Sequence, residues 1–333
     1  MLNLTGLLTA PFTWLNLLWM FVEVLVMLVI ILIYVMAALY GERKILGHIQ
    51  LRPGPNRTGP GGVLQPVADV IKLLFKEDVI PAEADVAVFK IAPVIAFVPS
   101  FMTFAVAPWA PNVLFTDLNV GVLYFTAVTG ITTIGIVSGG WSSGSKYPLL
   151  GGMRGAAQLI SYELPLVMSI LGVVLMAGTA NMAGIVEAQQ KWWFFFPQIL
   201  GFVAFFISVS AEMNRTPFDL PEGESEIVAG YHTEYSGFRM ALWMLGEYTY
   251  IFADGLLCAT LFFGGWHGPW LPGWLWLLIK AMIFVFLAIW TRGTLPRMRS
   301  DTLMVFAWKF LLPLAMANLI ITALVKAAIA GWF

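Results

Sequence analysis

Carboxylate side chains interrupt stretches of this sequence that are otherwise apolar and long enough to cross a membrane. Glu23, Glu163, Glu212, Glu247 and Asp254 lie within such stretches or at their ends. An ionisable side chain at the centre of a membrane-spanning helix costs roughly 2.5–3.5 kcal/mol on insertion scales, so its presence requires an explanation. Acids at membrane depth are candidates for proton transfer, and this is the chemistry that these residues indicate.

Some of these acids also have a purely structural interpretation. Glu163 follows Ser161 and Tyr162 at the start of an apolar stretch, where a negatively charged side chain interacts favourably with the helix dipole. Glu212 ends a stretch and could reach the lipid headgroups. Glu247 and Asp254 are seven residues apart and share a helix face that should point inward. Because several such acids occur together, we favour the functional interpretation.

A second group of acids lies between two apolar stretches. Such a run is usually a solvated surface, but apolar residues such as Phe218, Leu220 and Ile227 interleave it and indicate partial burial. Partly buried neighbouring carboxylates raise one another's proton affinity, so some of them could change protonation near neutrality. The acids are Asp219, Glu222, Glu224, Glu226 and Glu234.

The composition predicts an all-α, polytopic integral membrane protein. Of 333 residues, 59% are hydrophobic and 11% charged, whereas soluble domains are about 45–50% apolar and about 25% charged. Crossing roughly 30 Å of hydrocarbon takes about 20 helical residues. Eight apolar stretches meet that length, so residues 1–333 form a single membrane domain with eight transmembrane helices. The stretches lie near 15–39, 91–110, 119–138, 158–178, 193–212, 240–264, 271–291 and 303–329.

The basic residues predict the orientation. Of the 18 Lys and Arg residues, 14 fall in the loops after the first, third, fifth and seventh stretches, which marks those loops as cytoplasmic and both termini as periplasmic. This alternation argues against a nucleic-acid surface. Two cytoplasmic loops, 41–90 and 213–239, are long enough to hold amphipathic surface helices. In the first, apolar residues from Val63 to Phe75 recur at helical spacing opposite Gln65, Asp69 and Lys72.

Cysteine and histidine usage bears on bound cofactors. Cys258 is the single cysteine, and His48, His232 and His267 are scattered. Neither a disulfide, a thiolate cluster, a zinc site nor a pair of haem ligands follows from this spacing. The sequence therefore predicts no metal site and no redox cofactor bound by this chain alone.

Several longer motifs are specific enough to compare with known families. They are GERKILG at 41–47, QLRPGPN at 50–56, LQPVAD at 64–69, SYE at 161–163, AEMNRTPFDLPEGESE at 211–226, EYS at 234–236, GEY at 246–248 and LPRMRSD at 295–301. Together they strongly resemble the H subunit of NADH-quinone oxidoreductase. That family belongs to respiratory complex I, and its mitochondrial counterpart is NADH dehydrogenase subunit 1.

The resemblance implies a membrane subunit of a proton-translocating complex, in a bacterial inner membrane or a mitochondrial inner membrane. A quinone such as ubiquinone would be the substrate, and the iron–sulfur clusters and FMN would belong to partner subunits. The implied partners are the peripheral-arm subunits that carry the terminal iron–sulfur cluster and the small membrane subunits beside the antiporter-like subunits. The long loops would help to build the quinone chamber.

The resemblance also implies roles for individual residues, none of them a catalytic residue. The residues around the quinone chamber would be Glu42, Arg43, Arg52, Asp69, Arg215, Asp219 and Glu222. The carboxylates that relay protons would be Glu163, Glu212, Glu224, Glu226 and Glu247. Glu23 and Asp254 lie outside the family pattern, and Asp254 either adds to the proton route or packs as a polar residue.

Other functions stay open at this point. The homologous subunit of a membrane-bound hydrogenase or of a ferredoxin-dependent dehydrogenase would share the framework, and the co-purifying soluble subunits would separate these from a quinone reductase. A stand-alone ion transporter is less favoured, because no internal repeat is visible. A purely structural membrane anchor would leave the buried acids replaceable by amides.

Overall fold

The computed structural model describes residues 14–111 and 113–329, and this part of the chain consists of helices and loops without a β-strand. The expected all-α class is therefore confirmed. The helices are α1 (Trp14–Ile49), α2 (Gln65–Phe75), α3 (Val86–Met102), α4 (Gly121–Ser142), α5 (Lys146–Ala177), α6 (Met182–Ala188), α7 (Ile199–Glu212), α8 (Glu224–Ile227), α9 (Gly237–Phe262), α10 (Gly273–Thr294), α11 (Ser300–Phe306) and α12 (Leu312–Ile329).

Long apolar helices dominate the fold. Within the described residues, six helical segments are long and apolar enough to cross a membrane, which confirms the expected class of helical membrane protein. In one of them a 3₁₀ turn (Thr103–Val106) prolongs α3, and in another a π-helical turn (Ala307–Leu311) joins α11 to α12. The six segments are Trp14–Ile49, Val86–Val106, Gly121–Ser142, Lys146–Ala177, Gly273–Thr294 and Ser300–Ile329.

The expected count of eight spanning helices is not confirmed. The predicted stretch 193–212 is helical only as α7, whose 14 residues extend about 21 Å at 1.5 Å per residue. Residues before it form a turn instead, in which the Phe195 amide donates to the Phe262 carbonyl at 3.0 Å. Helix α9 is long enough, with 26 residues, but Glu247 and Asp254 interrupt its apolar sequence, and it is not one of the six.

Helix α1 continues past the predicted end of its span and carries Glu42 and Arg43 on its last turns. The chain then reverses sharply beside it. A Cβ atom at Gly47 would lie 2.9 Å from the Arg52 carbonyl oxygen, so this close return depends on glycine. The sequence motif at 41–47 is thus part of a helix rather than of a loop.

The predicted amphipathic helix of the first loop is present as α2. Its apolar side chains remain exposed on the molecular surface, as expected for a helix made to lie against an apolar phase. The second long loop differs, because its described part holds only the four-residue α8 and a 3₁₀ turn (Gly230–His232). Pro217, Pro221 and Gly223 interrupt longer helix there, so no amphipathic surface helix forms.

Residues 213–236, termed the acidic loop below, are folded back into the protein. Phe218, Leu220 and Ile227 are buried, and the side-chain amide of Gln158 on α5 donates to the Phe218 carbonyl at 2.6 Å. The expectation of partial burial is confirmed. The loop is therefore held against α5.

Close backbone contacts hold α3, α4 and α5 together. A Cβ atom at Gly135 would lie 2.9 Å from the Ala96 nitrogen, and one at Gly140 would lie 2.5 Å from the Pro148 carbonyl oxygen. Small residues allow membrane helices to approach this closely. The three helices form one wall of the region described next.

Lys280, an unexpected cation within a predicted span, has a structural role. Its ammonium group donates to the carbonyl oxygens of Phe263, Gly265 and His267 at 2.6, 2.8 and 2.7 Å. These carbonyls follow the C-terminus of α9, where a positive charge is favoured. Lys280 thereby ties the end of α9 to α10.

Candidate functional site

Arg215 lies at the centre of a buried ionic cluster. Only 4% of its side chain is exposed; its Nη1 atom donates to Glu42 Oε2 at 2.6 Å, and its Nε atom donates to Glu247 Oε1 at 2.7 Å. The guanidinium group also lies 4.5 Å from the ring centroid of Tyr248. Buried charges persist when they are paired in this way. The acidic loop thus connects α1 with α9 through a single side chain.

Glu42 receives further hydrogen bonds. Tyr248 donates its hydroxyl group to Glu42 Oε2 at 2.8 Å, and Arg292, near the end of α10, donates to Glu42 Oε1. We call these five residues, Glu42, Arg215, Glu247, Tyr248 and Arg292, the arginine cluster. Its two carboxylates and two guanidinium groups balance in charge. Sequence reasoning missed Tyr248 and Arg292, although Tyr248 lies within the GEY motif.

Carboxylates of three different segments line a small inner cavity of about 50 Å³. They are Glu212 at the end of α7, Glu222 of the acidic loop and Glu247 of α9, together with Tyr231 and Tyr250. A buried water molecule needs about 10–15 Å³ of cavity volume and two to four polar partners. The cavity can therefore hold a few water molecules between the three carboxylates.

Asp219 and Glu222 lie where the acidic loop meets this region. Arg297 donates to Asp219 Oδ2 at 2.7 Å. Burial raises the pKa of Asp219, and the hydrogen bond and charge of Arg297 oppose that effect. Burial, reinforced by the charges of Glu247 and Asp219, raises the pKa of Glu222 well above its ordinary value of 4.5. Glu222 therefore binds its proton more tightly than a solvent-exposed glutamate does.

The raised pKa of Glu222 predicts a pH-dependent loop. The folded loop binds this proton up to a higher pH than an unfolded loop does. Ionising Glu222 therefore costs no folding stability below about pH 4.5, and the cost grows as pH rises through the elevated pKa. Hydrogen exchange across residues 213–236 of the assembled complex, corrected for the intrinsic pH effect, is expected to increase as pH rises from about 4.5 through the elevated pKa of Glu222. Glu222→Gln should weaken this increase.

Glu226→Gln is the matched control for that measurement, because Glu226 is half-exposed and paired with Arg154 at 2.5 Å. It should leave the pH dependence of exchange as it is in the original protein. An equal increase in the Glu222→Gln variant and in the original protein would contradict the assignment.

Glu163 lies next to the inner cavity rather than in it. Its Oε1 atom is 3.0 Å from the position that a Cβ atom would take at Gly130 of α4. Glu212 interacts with the Glu163 carboxylate and faces the Thr129 hydroxyl group. Four of the predicted acids, Glu163, Glu212, Glu222 and Glu247, are therefore neighbours.

One other predicted relay residue is not brought into this group. Glu226 is engaged in its half-exposed ion pair with Arg154. The side chain of Glu224 lies outside the described part of the structure. Glu222 is the described acid of this loop that lines the inner cavity.

A larger outer cavity of about 500 Å³ opens between α1, α2 and α9. Its lining is mostly apolar, with Arg43, Asp69 and Lys72 as polar members. Arg43 Nη1 donates to Asp69 Oδ2 at 2.5 Å, and Gln65 donates to Asp69 Oδ1 at 3.0 Å. Arg52 lies elsewhere, on the surface, where its Nε atom donates to Gln50. The apolar lining includes Leu32, Val35, Leu39, Leu73, Ala241 and Leu245.

The arginine cluster lies between the two cavities. Glu42 is flanked on α1 by Leu39 and Arg43 of the outer cavity, and Glu247 lines the inner cavity two residues beyond Leu245 of the outer one. Within the cluster, Arg215 joins Glu42 of α1 directly to Glu247 of α9. Within residues 14–111 and 113–329, no group of three or more His, Cys, Asp and Glu residues could hold a metal ion.

Comparisons with known proteins agree on one family. A family model described as NADH dehydrogenase matches residues 22–323. A relative from Brevibacillus brevis is 51% identical over 326 residues, covering 96% of this chain and 97% of its own. Relatives from Geobacillus kaustophilus and Bacillus mycoides are 55% and 54% identical, covering 92% and 96% of this chain and 92% and 98% of their own. Each of the three is named as the H subunit of NADH-quinone oxidoreductase.

Proposed function

Because this chain belongs to the family of the NADH-quinone oxidoreductase H subunit, a membrane subunit of complex I, we propose that it couples quinone reduction to proton translocation within that complex. The observation that carries this proposal is the buried arginine cluster, which separates an apolar cavity from a cavity lined by carboxylates. The first cavity admits the quinone, and the second responds to its reduction.

The outer cavity has the properties of a quinone passage. Its volume of about 500 Å³ falls within the roughly 300–1,000 Å³ that ligand pockets occupy. Its apolar walls suit a ring with an isoprenoid tail, and the exposed apolar residues of α2 lie beside it, where a lipid-soluble substrate would enter. Arg43 can donate a hydrogen bond to a quinone oxygen, with Asp69 holding its guanidinium group in place.

Quinone reduction takes two electrons and two protons to give the quinol. In this proposal the electrons come from NADH through FMN and iron–sulfur clusters of partner subunits, and this chain supplies charged groups only. A unit charge about 8 Å from an ionisable group, at an effective dielectric constant of about 20, changes its energy by about 2 kcal/mol, or about 1.5 pKa units. A reduced, anionic quinone would therefore perturb Arg215 and its two carboxylates.

The perturbation passes inward along the bonded groups. When the hold of Arg215 on Glu247 weakens, Glu247 gains proton affinity and takes a proton through water in the inner cavity from Glu222 or Glu212. Glu163, which lies beside Glu212, is the next carboxylate on the proposed proton route. Asp219 and its partner Arg297 lie at the edge of the region around the inner cavity. Glu224 and Glu226 remain proposed members of the proton relay. Arg52 also stays proposed, although its surface position gives no support for contact with quinone.

We further propose that α7 and α9 complete a set of eight membrane helices. Both termini then face the periplasm of a bacterial inner membrane, with loops 41–90 and 213–239 on the cytoplasmic side. The distribution of Lys and Arg supports this orientation. The peripheral-arm subunits would dock on these loops, and small membrane subunits would lie on the side of Glu163.

Glu247→Gln in the assembled complex tests the coupling. The amide keeps the shape of the side chain but loses the charge that Arg215 binds. We expect electron transfer from NADH to an artificial hydrophilic acceptor to be unchanged and the number of protons translocated per electron to fall at least about twofold. The measurement is proton uptake by proteoliposomes during quinone reduction.

The control is Asp301→Asn, which removes an exposed carboxylate that pairs with Arg299 and has no place in the proposed relay, and it should leave the ratio as it is. Full quinone reduction with an unaltered proton-to-electron ratio in Glu247→Gln would place Glu247 off the route and refute the proposed coupling path.

A further inference from the structure

Asp254 is a buried acid that the proposed route does not use. It lies on α9, two helical turns beyond Glu247, and only 1% of the residue is exposed. Its Oδ2 atom has no hydrogen-bond partner among the described residues. A buried carboxylate oxygen without a partner is costly, so its retention calls for a role.

The surroundings of Asp254 contain a second acid with the same property. Glu212, at the end of α7, interacts electrostatically with Asp254, and its Oε2 atom also lacks a hydrogen-bond partner within the described chain. Tyr250, one turn before Asp254, lines the inner cavity together with Glu212 and Thr132. Asp254 therefore adjoins two residues that line the cavity, Glu212 and Tyr250.

Glu212 and Asp254 differ from the carboxylates of the arginine cluster in how their charges are balanced. Glu42 and Glu247 are both bound by guanidinium groups, whereas no ion pair joins Glu212 or Asp254 to a Lys or Arg of residues 14–111 and 113–329. Two uncompensated carboxylates close together in a region of low dielectric cannot both be ionised at little cost. One of the two must carry a proton.

We propose that Asp254 and Glu212 share one proton and extend the relay from the inner cavity into the middle of α9. The exchange is a transfer from the carboxylic acid of one residue to the carboxylate of the other, and it leaves the total charge and the number of protons unchanged. The pair stores a proton beside the cavity, from which Glu212 returns it to water or to Glu163. This inference rests on the proposed coupling function.

The competing role is that of a polar packing residue, which an amide would fill equally well. Asp254→Asn keeps the size and polarity but cannot release a proton, while Asp254→Glu keeps the acid on a longer side chain and Asp254→Gln matches that longer chain without the acid. Cys258→Ser is the control, because Cys258 is equally buried one turn further along α9.

The experiment measures protons translocated per electron by the assembled complex in proteoliposomes, with electron transfer to an artificial acceptor as the measure of assembly. We expect Asp254→Asn and Asp254→Gln to lower the ratio at least about twofold. Asp254→Glu should recover most of it, and Cys258→Ser should retain it. A normal ratio in either amide variant would overturn the proposal. So would an Asp254→Glu variant no better than Asp254→Gln, or failure of both amide variants to assemble, since the carboxylate would then serve structure.

Glu247→Gln, measured in parallel, separates the two proposals. If Glu247→Gln lowers the ratio and Asp254→Asn does not, only the role of Asp254 is refuted. If Glu247→Gln leaves the ratio normal, the coupling route itself fails, and the inference about Asp254 fails with it.

Discussion

Arg215→Met is expected to lower quinone reduction by the assembled complex at least about a hundredfold. Arg215 binds Glu42 and Glu247 at 2.6 and 2.7 Å in a site where its side chain is 4% exposed. Removal of one partner from a buried ion pair costs about 3–5 kcal/mol, and each 1.4 kcal/mol is a factor of about ten. The check is the rate of NADH-driven quinone reduction in membranes, set against the rate with an artificial acceptor.

Two further variants sharpen this test. Arg299→Met removes the same charge from a side chain that is 84% exposed and should have little effect. Arg215→Met combined with Glu247→Gln should recover part of the loss, because the double variant no longer leaves Glu247 as an unpaired buried charge. An Arg215→Met complex that retains more than half of the quinone-reducing rate would contradict the central place of the arginine cluster.

Ala241→Trp is expected to block the outer cavity and to lower kcat/KM for quinone at least about tenfold. Ala241 lies on α9 in the wall of this cavity, opposite α1 and α2. An indole ring there occupies space that the substrate needs, while the arginine cluster, deeper in the protein, keeps its bonds. The rate with an artificial acceptor should stay normal, and steady-state kinetics with a short-chain quinone measure the effect.

Ala317→Trp is the matched control for steric bulk, since Ala317 lies on α12 with its side chain exposed. It introduces the same ring on an outer face and should leave kcat/KM as it is. An unchanged kcat/KM in Ala241→Trp would show that quinone does not pass through the outer cavity.

Composition and periodicity were sufficient to predict the helical membrane class and the amphipathic helix α2, because burial in lipid and exposure of one helix face both leave a strong pattern in the order of residues. Helix limits were less predictable. Glu42 and Arg43 belong to α1 rather than to a loop, and α7 begins six residues later than the apolar stretch predicts, because the preceding turn bonds to the end of α9.

The residue types of the site were predictable from the sequence, but the contacts between these residues were less predictable. Glu42 and Arg215 are 173 residues apart, and nothing in local spacing indicates that they meet. Arg292 was expected only as one of several loop cations, yet it binds Glu42. Lys280 lies inside a predicted span, and only the structure reveals the three backbone carbonyls that hold it in a structural role.

The hydrogen bonds of Lys280 hold the C-terminal end of α9 in place, so a tilt of this helix would pivot about that end. From the C-terminal residue Phe262 to Glu247 the helix extends about 22 Å, and to Asp254 about 12 Å, at 1.5 Å per residue. A tilt of about 3° about the tied end would thus displace Glu247 by about 1.2 Å and Asp254 by only about 0.6 Å. The ion pair of Glu247 with Arg215 is therefore about twice as sensitive to such a tilt as Asp254, which lies nearer the fixed end.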